Sequence, residues 1–317
     1  MKRGKAFFTA VFLLLLALAC VPAQAQVQTE IQESVGASKI AAGQLVREGK
    51  NYCYYYKGRK QKNCWKTINS NRYYFDENGN AAKYSRKIGN YIYVFNAKGQ
   101  LYRPLSPTII KTGKYSYYVD KKGRAYVGWF TIGSRLYRAD AKGRICMNKT
   151  YQGVTFTNNG YAQEDINAAL KKKVMSIVSQ ITNPGMTQSQ KLWACWRYIT
   201  STGGFYYSSY YPNTSQKGWQ KETAYRMLAT KGGNCYGFAC AFAALAWEIG
   251  YDPYVVCGRV SGSRDGASDG LTRHGWVTIS GLTYDPEAQF AGWFPGVYGA
   301  WGYNISHTIQ SYTRFAG

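Results

Sequence analysis

Only two histidines occur in the 317 residues. One of them, His274, stands eleven residues before Asp285 and downstream of Cys235, which follows Gly232, Gly233 and Asn234. A thiol, an imidazole and a carboxylate in that order are the parts of a nucleophile with its general base and orienting group. Residues 235–250, CYGFACAFAALAWEIG, are apolar or small nearly throughout and end on Gly250. This predicts a buried helix of about four turns with Cys235 in its first turn. There the unpaired N–H groups and the positive end of the helix dipole favour a thiolate, and the Cys235 N–H is a candidate oxyanion donor. Gly232 and Gly233 let the chain reverse tightly and leave room for a substrate backbone.

The other two groups need a strand pair to bring them together. Residues 274–280, HGWVTIS, are β-rich, Gly281 marks a turn, and 282–285, LTYD, run back toward Pro286. A two-residue Ser280-Gly281 loop pairs Ile279 with Leu282, so Trp276 faces Asp285 and His274 lies diagonally across on the same face. Asp285 then fixes the imidazole's tautomer while the other ring nitrogen faces the thiol. The competing reading of Cys235 is an ordinary buried cysteine, a reading that suits Cys240 on the same helix.

The stretch GGNCYGFACAFAALAWEIGYDPYVVCG, followed by HGWVTISGLTYDPEAQ, resembles the transglutaminase-like fold of papain-type thiol enzymes, over roughly residues 165–317. The resemblance implies an α+β domain, helices packed on an antiparallel sheet, with Cys235 as nucleophile, His274 as general base and acid, and Asp285 as orienting carboxylate. Two departures from the family pattern stand out: Tyr236 and Gly237 replace a frequent Gly-Asp, and Gly275 replaces a common Ala. Both can reshape the substrate groove. A second oxyanion donor is expected from upstream, where Trp219, Tyr206 and Tyr207 are the candidates and core packing is the competing role for each. Attack of the thiolate on an amide-type carbonyl gives an acyl-enzyme, released by water in a peptidase or amidase and by an amine in a transglutaminase, with hydrolysis slightly favoured. Some members of the family have lost activity, so fold alone does not choose.

Residues 1–25 read as a signal peptide: a basic start, an apolar run from Ala6 to Ala19, and the small-x-small site Ala23-Gln24-Ala25. The run is short for a membrane span, so the mature chain is expected to carry no transmembrane segment. A lipoprotein signal at Cys20 is the rival, for which Ala17 fits poorly. Seven cysteines remain after cleavage: Cys53, Cys64, Cys146, Cys195, Cys235, Cys240 and Cys257. An odd count leaves a thiol free, and Cys53 and Cys64 are the pair close enough to suggest a local bridge. Cys235, Cys240 and Cys257 lack zinc-ligand spacing, so no metal and no cofactor are expected.

Between the leader and the thiol region, Gly58, Gly79, Gly99, Gly123, Gly143 and Gly160 recur behind aromatic strands such as NRYYFDENG and NYIYVFNAKG. Each unit reads as a hairpin closed by an Asp/Asn-x-x-Gly turn, and such units must stack into an all-β solenoid to bury their aromatic faces. The pattern is similar to the cell-wall-binding and glucan-binding repeats of Gram-positive exported enzymes. Trp65 and Trp129 are the only tryptophans in the repeats, which argues against a choline-type cation cage. Residues 46–160 hold 23 Lys and Arg against 5 Asp and Glu, a balance of +18 within the whole chain's +24. The basic character therefore belongs to the repeats, where an anionic wall polymer or a glycan is the expected partner. No nucleic-acid fold signature accompanies it.

The expected organisation is a signal peptide at 1–25, a linker at 26–48, repeats at 49–162 and a transglutaminase-like catalytic domain at 163–317. Its helices are expected at 163–182, 187–201 with Thr187 as N-cap, and 219–229. Residues 261–272 form a Gly/Ser-rich loop leading to His274, a flap or a plain surface loop. The leading function is a secreted or wall-associated thiol enzyme acting on a protein or peptide. The alternative is a non-catalytic surface or polyanion-binding protein with an inactive transglutaminase-like domain.

Overall fold

The computed structural model describes residues 43–293 and 297–315. The signal segment 1–25 and residues 26–42 of the expected linker lie outside them. The chain divides into two compact units, the first ending at Tyr126 and the second beginning at Val127. Residues Gln44–Glu48, read above as the end of the linker, form a strand paired with Asn51–Tyr56. The cause is apolar: Leu45 packs against the cluster of Tyr73, Phe75 and Ala81.

The first unit holds antiparallel hairpins at 64–75, 84–95 and 108–119. The Asp/Asn-x-x-Gly signature has a direct physical cause. Oδ1 of Asp76, Asn96 and Asp120 accepts the backbone N–H groups two and four residues ahead. Gly79, Gly99 and Gly123 supply the positive φ that this turn requires. After each turn the chain pairs with the preceding unit: the N–H groups of Ala81, Leu101 and Ala125 donate to the carbonyls of Tyr52, Arg72 and Ile92. That stacking carries Phe75, Phe95 and Val119 to full burial.

In the second unit, hairpins at 128–139 and 149–156 precede, among the described residues, five α-helices, the second of them continued by a π-helical turn at Tyr198–Thr202. These are α1 (Ile166–Ile181), α2 (Gln188–Arg197), α3 (Trp219–Thr230), α4 (Cys235–Glu248) and α5 (Pro286–Ala291). The starts follow their capping residues. Asp165 accepts the Ala168 N–H, Thr187 and Gln190 form a capping box, and Asn234 accepts from Tyr236 and Gly237. The hairpins are part of the α1 packing: Leu136, Val154, Phe156 and Ala162 form one cluster with Ala168. Buried Lys171 lies over the ring of Trp129 and pairs with Glu248 at 2.5 Å.

α4 is buried on every side as far as Ala246. It ends in a Schellman motif, with Gly250 (φ +94) and Tyr251 donating to Trp247 and Ala246. A five-stranded antiparallel sheet covers it, made of β1 (Pro253–Ser261), β2 (Leu271–Ile279), β3 (Leu282–Tyr284), β4 (Tyr298–Trp301) and β5 (His307–Arg314). Its order is β4-β3-β2-β1-β5. The fold is thus α+β, helices on an antiparallel sheet, preceded by stacked hairpins. No helix among the described residues is long and apolar enough to cross a membrane.

Candidate active site

The β2–β3 turn has Ser280 at φ +52 and Gly281 at φ +81, both central residues in the left-handed region as a two-residue type I′ turn demands. The resulting register pairs Ile279 with Leu282, Thr278 with Thr283 and Val277 with Tyr284. Asp285 follows at the N-cap of α5, where Oδ1 accepts the Ala288 N–H at 3.0 Å. That cap turns Oδ2 toward β2, where it meets His274 Nε2 at 2.6 Å and the Tyr303 hydroxyl at 2.5 Å. Nε2 therefore donates to the carboxylate, and Nδ1 is the ring nitrogen left for other partners.

Beside this imidazole stands Cys235, the first residue of α4. The thiol Sγ and a His274 ring nitrogen lie within 4.8 Å of each other. Asn234 takes the N–H groups of Tyr236 and Gly237 and its carbonyl takes that of Phe238, so the Cys235 N–H stands outside the cap as a donor. Cys235, His274 and Asp285 are each at most 1% exposed. Depth reverses one expectation, because burial pushes the Cys235 thiol above its ordinary value even though His274 and the Gly275 amide draw it down. Burial also works against a charged His274, but Asp285 and Cys235 more than offset it and raise the imidazole well above its ordinary value.

Glu287, two residues past Asp285, joins the group and was not singled out in the sequence. It is buried, with Oε2 3.5 Å from His274 Nδ1. Cys235 Sγ, a His274 nitrogen and a Glu287 oxygen all lie within 4.8 Å of one another, a set of donors able to hold a cation. Arg264, from the Gly/Ser-rich loop, reaches Glu287 Oε1 and the Tyr207 hydroxyl, each at 3.4 Å, and lies over Trp293. The loop is thus tied to the site. A cavity of about 370 Å³ lined by His274, Arg264, Ser263, Thr272 and Trp293 opens beside it. A larger cleft of about 670 Å³, between Ile181, Trp193 and Arg197, is lined by none of these residues.

Of the three oxyanion candidates, Tyr207 shares Arg264 with Glu287, and burial pushes its hydroxyl up to about 12. Tyr206 lies against Gly232, where an added Cβ would be 2.6 Å from its ring. Trp219 is buried at the start of α3, edge-on to Tyr236 with centroids 5.9 Å apart. The two departures at 236 and 275 prove to be one feature. A Cβ on Gly275 would come within 2.7 Å of Tyr236 Cδ1, so the large ring and the missing methyl fit each other.

Among the described residues, all seven cysteines are free thiols, including Cys53 and Cys64. Cys53 pairs in register with Val46 and Cys64 with Phe75, in separate hairpins, so the suggested local bridge does not form. In the repeats, ring faces carry the chain's own cations: Arg72 over Trp65, Arg124 over Tyr91 and Arg135 over Tyr161, at 4.4–4.6 Å.

Residues 175–295 match the family model of the transglutaminase-like superfamily, and this region is a transglutaminase-like domain. The chain matches no curated protein. Among solved structures it is similar to choline binding protein F from Streptococcus pneumoniae in the presence of a peptidoglycan analogue. That match is at 23% identity, 38% of this chain, 39% of that chain and a TM-score of 0.29. The modular Cpl-1 endolysin complexed with a peptidoglycan analogue is similar at 22% identity, 39% and 38% coverage and a TM-score of 0.29. Alternansucrase in complex with isomaltotriose is similar at 22%, with 40% and 11% coverage and a TM-score of 0.25. The matched part spans less than half the length of each of these proteins.

Proposed function

We propose that the protein is an exported, envelope-associated thiol enzyme that acts on peptide or glutamine amides through a Cys235 acyl-enzyme. The observation that carries this reading is a buried thiol within 4.8 Å of an imidazole nitrogen, with a carboxylate 2.6 Å from that imidazole's Nε2. In this reading His274 Nδ1 takes the thiol proton as Sγ attacks the carbonyl carbon. Asp285 stabilises the imidazolium, and the oxyanion meets the Cys235 N–H. Collapse passes the proton from the imidazolium to the leaving amine. Water, losing its proton to His274, then cleaves the thioester and restores the thiol, whereas an amine in its place would form a cross-link. Hydrolysis is the slightly favoured outcome.

Export rests on the leader at 1–25, and envelope association on the basic repeats, whose guanidiniums suit an anionic polymer or glycan. The second reading, a polyanion-binding protein with a silent thiol, draws on one observation: Cys235 is 1% exposed. Competition labelling separates the two. Iodoacetamide is expected to modify Cys235 faster than the other cysteines, and His274→Ala to remove that advantage. Equal modification of every accessible thiol overturns the enzyme reading.

A further inference from the structure

Glu287 is 1% exposed, and its Oε2 is a buried oxygen with no hydrogen-bond partner. A buried carboxylate oxygen without a hydrogen bond is costly, and the contact this one has among the described residues is the 3.5 Å ion-pair approach to His274. It points at His274 Nδ1, 3.5 Å away, on the side where Cys235 Sγ also lies, and the three donor atoms fall within 4.8 Å of one another. Thiolate, imidazole and carboxylate form a borderline-soft donor set, and three protein ligands around an open fourth position suit zinc. Ligand atoms of tetrahedral zinc stand about 3.5 Å apart. A contraction of roughly 1 Å at the widest separation would therefore close the set. The outer shell is also in place: the far nitrogen of His274 donates to Asp285 at 2.6 Å, the carboxylate–histidine–metal arrangement that fixes the tautomer and raises ligand basicity. In the metal-bound form a Cys235 thiolate with Glu287 and Asp285 gives three negative groups against one guanidinium, that of Arg264 on Glu287 Oε1, and a dication offsets that excess. The cavity beside His274 supplies room for a fourth, water-derived ligand.

We propose that Cys235, His274 and Glu287 bind a zinc-class dication, and that the bound metal silences the thiol. The silencing rests on the enzyme reading above, whereas the binding does not. Binding releases the Cys235 thiol proton to solvent, and Sγ and Nδ1 become ligands. Neither is then free to attack or to accept a proton.

The test uses the full chain and the metal alone. Co²⁺ added to the protein should give a thiolate-to-metal charge-transfer band with tetrahedral d–d bands, and Zn²⁺ should displace it. Cys235→Ser should abolish the band, Cys240→Ala should keep it, and Glu287→Gln should weaken binding about tenfold or more. In the unaltered protein, Zn²⁺ should protect Cys235 from iodoacetamide and a chelator should restore labelling, so the test survives a variant that misfolds. The absence of a charge-transfer band, or a band of undiminished affinity in a folded Glu287→Gln protein, overturns the site. Selective labelling of Cys235 that Zn²⁺ leaves unchanged also overturns it while leaving the enzyme reading standing. Zn²⁺ binding without selective labelling in the metal-free protein does the reverse.

Discussion

Asp120 in the repeats and Asp285 in the transglutaminase-like domain do the same local job. Each carboxylate accepts backbone N–H groups just ahead of it and so shapes a turn or starts a helix. Their second oxygens differ. Oδ2 of Asp120 returns to Arg124 within the same turn, at 2.7 Å, so the residue serves only its own unit. Oδ2 of Asp285 reaches across to His274 and Tyr303. A capping motif thus becomes part of a reaction centre when its spare oxygen is aimed at another element. Burial follows the same division: stacked hairpins complete one another unit by unit, whereas α4 is enclosed by helices and sheet together.

The largest effect should come from breaking the symmetry of these two aspartates. Asp285→Asn is expected to slow Cys235 alkylation by about 10²- to 10⁴-fold, and Asp120→Asn to leave it within about twofold, as measured by mass spectrometry of the labelled peptides. Similar rates for both variants would mean that Asp285 is a cap and nothing more.

A second test compares two buried phenylalanines. Phe156 shares a cluster with Ala168 of α1, whereas Phe75 sits among repeat residues. Each truncation to Ala should cost about 3–5 kcal/mol. Calorimetry should show Phe156→Ala lowering the transition of the second unit, and Phe75→Ala lowering that of the first. A third concerns Tyr236. Gly275→Ala should cost about 1–3 kcal/mol, through the 2.7 Å approach to that ring. The cost should largely vanish in a Tyr236→Ala background, and a denaturant double-mutant cycle reads the coupling.

The smallest effect is a pH dependence confined to the turns. Burial raises the Asp120 and Asp140 carboxyls, but the amides and guanidiniums of Arg124 and Arg144, with the Lys122 and Lys142 amides, outweigh it and hold both below the ordinary value. A depressed folded value contributes stability above the unfolded value of 3.8, and that contribution disappears as pH falls through the folded one. The two turns should lose about 1 kcal/mol or less on acidification below pH 4. Thermal unfolding between pH 5 and 3 should show the loss, and Asp120→Asn should blunt it.

The sequence made the strand register of the site legible because strand side chains alternate and Ser280-Gly281 fits a two-residue turn. The buried helix behind Cys235 was legible because its apolar residues surround it completely. The depth of the thiol was not. A helix dipole can be read from Cys235's place in the chain, but the burial that outweighs it depends on the sheet that covers α4. Glu287 lay hidden as an ordinary acid in the first turn of α5, where acids are common. The loop that carries Arg264 stood out by its composition, but nothing in it marked the arginine, and Tyr303 gave no local signal. The strand at 44–48 was missed because Leu45 finds its partners in the hairpin of Tyr73 and Phe75.

The fit between Gly275 and Tyr236 constrains the order in which such a chain could change. With Tyr236 in place, a methyl at 275 would have to displace its ring. With a small residue at 236, the same methyl would meet only a gap. Any alanine at 275 is therefore tolerated only after the tyrosine has gone, so the two positions can change in one order and not in the other.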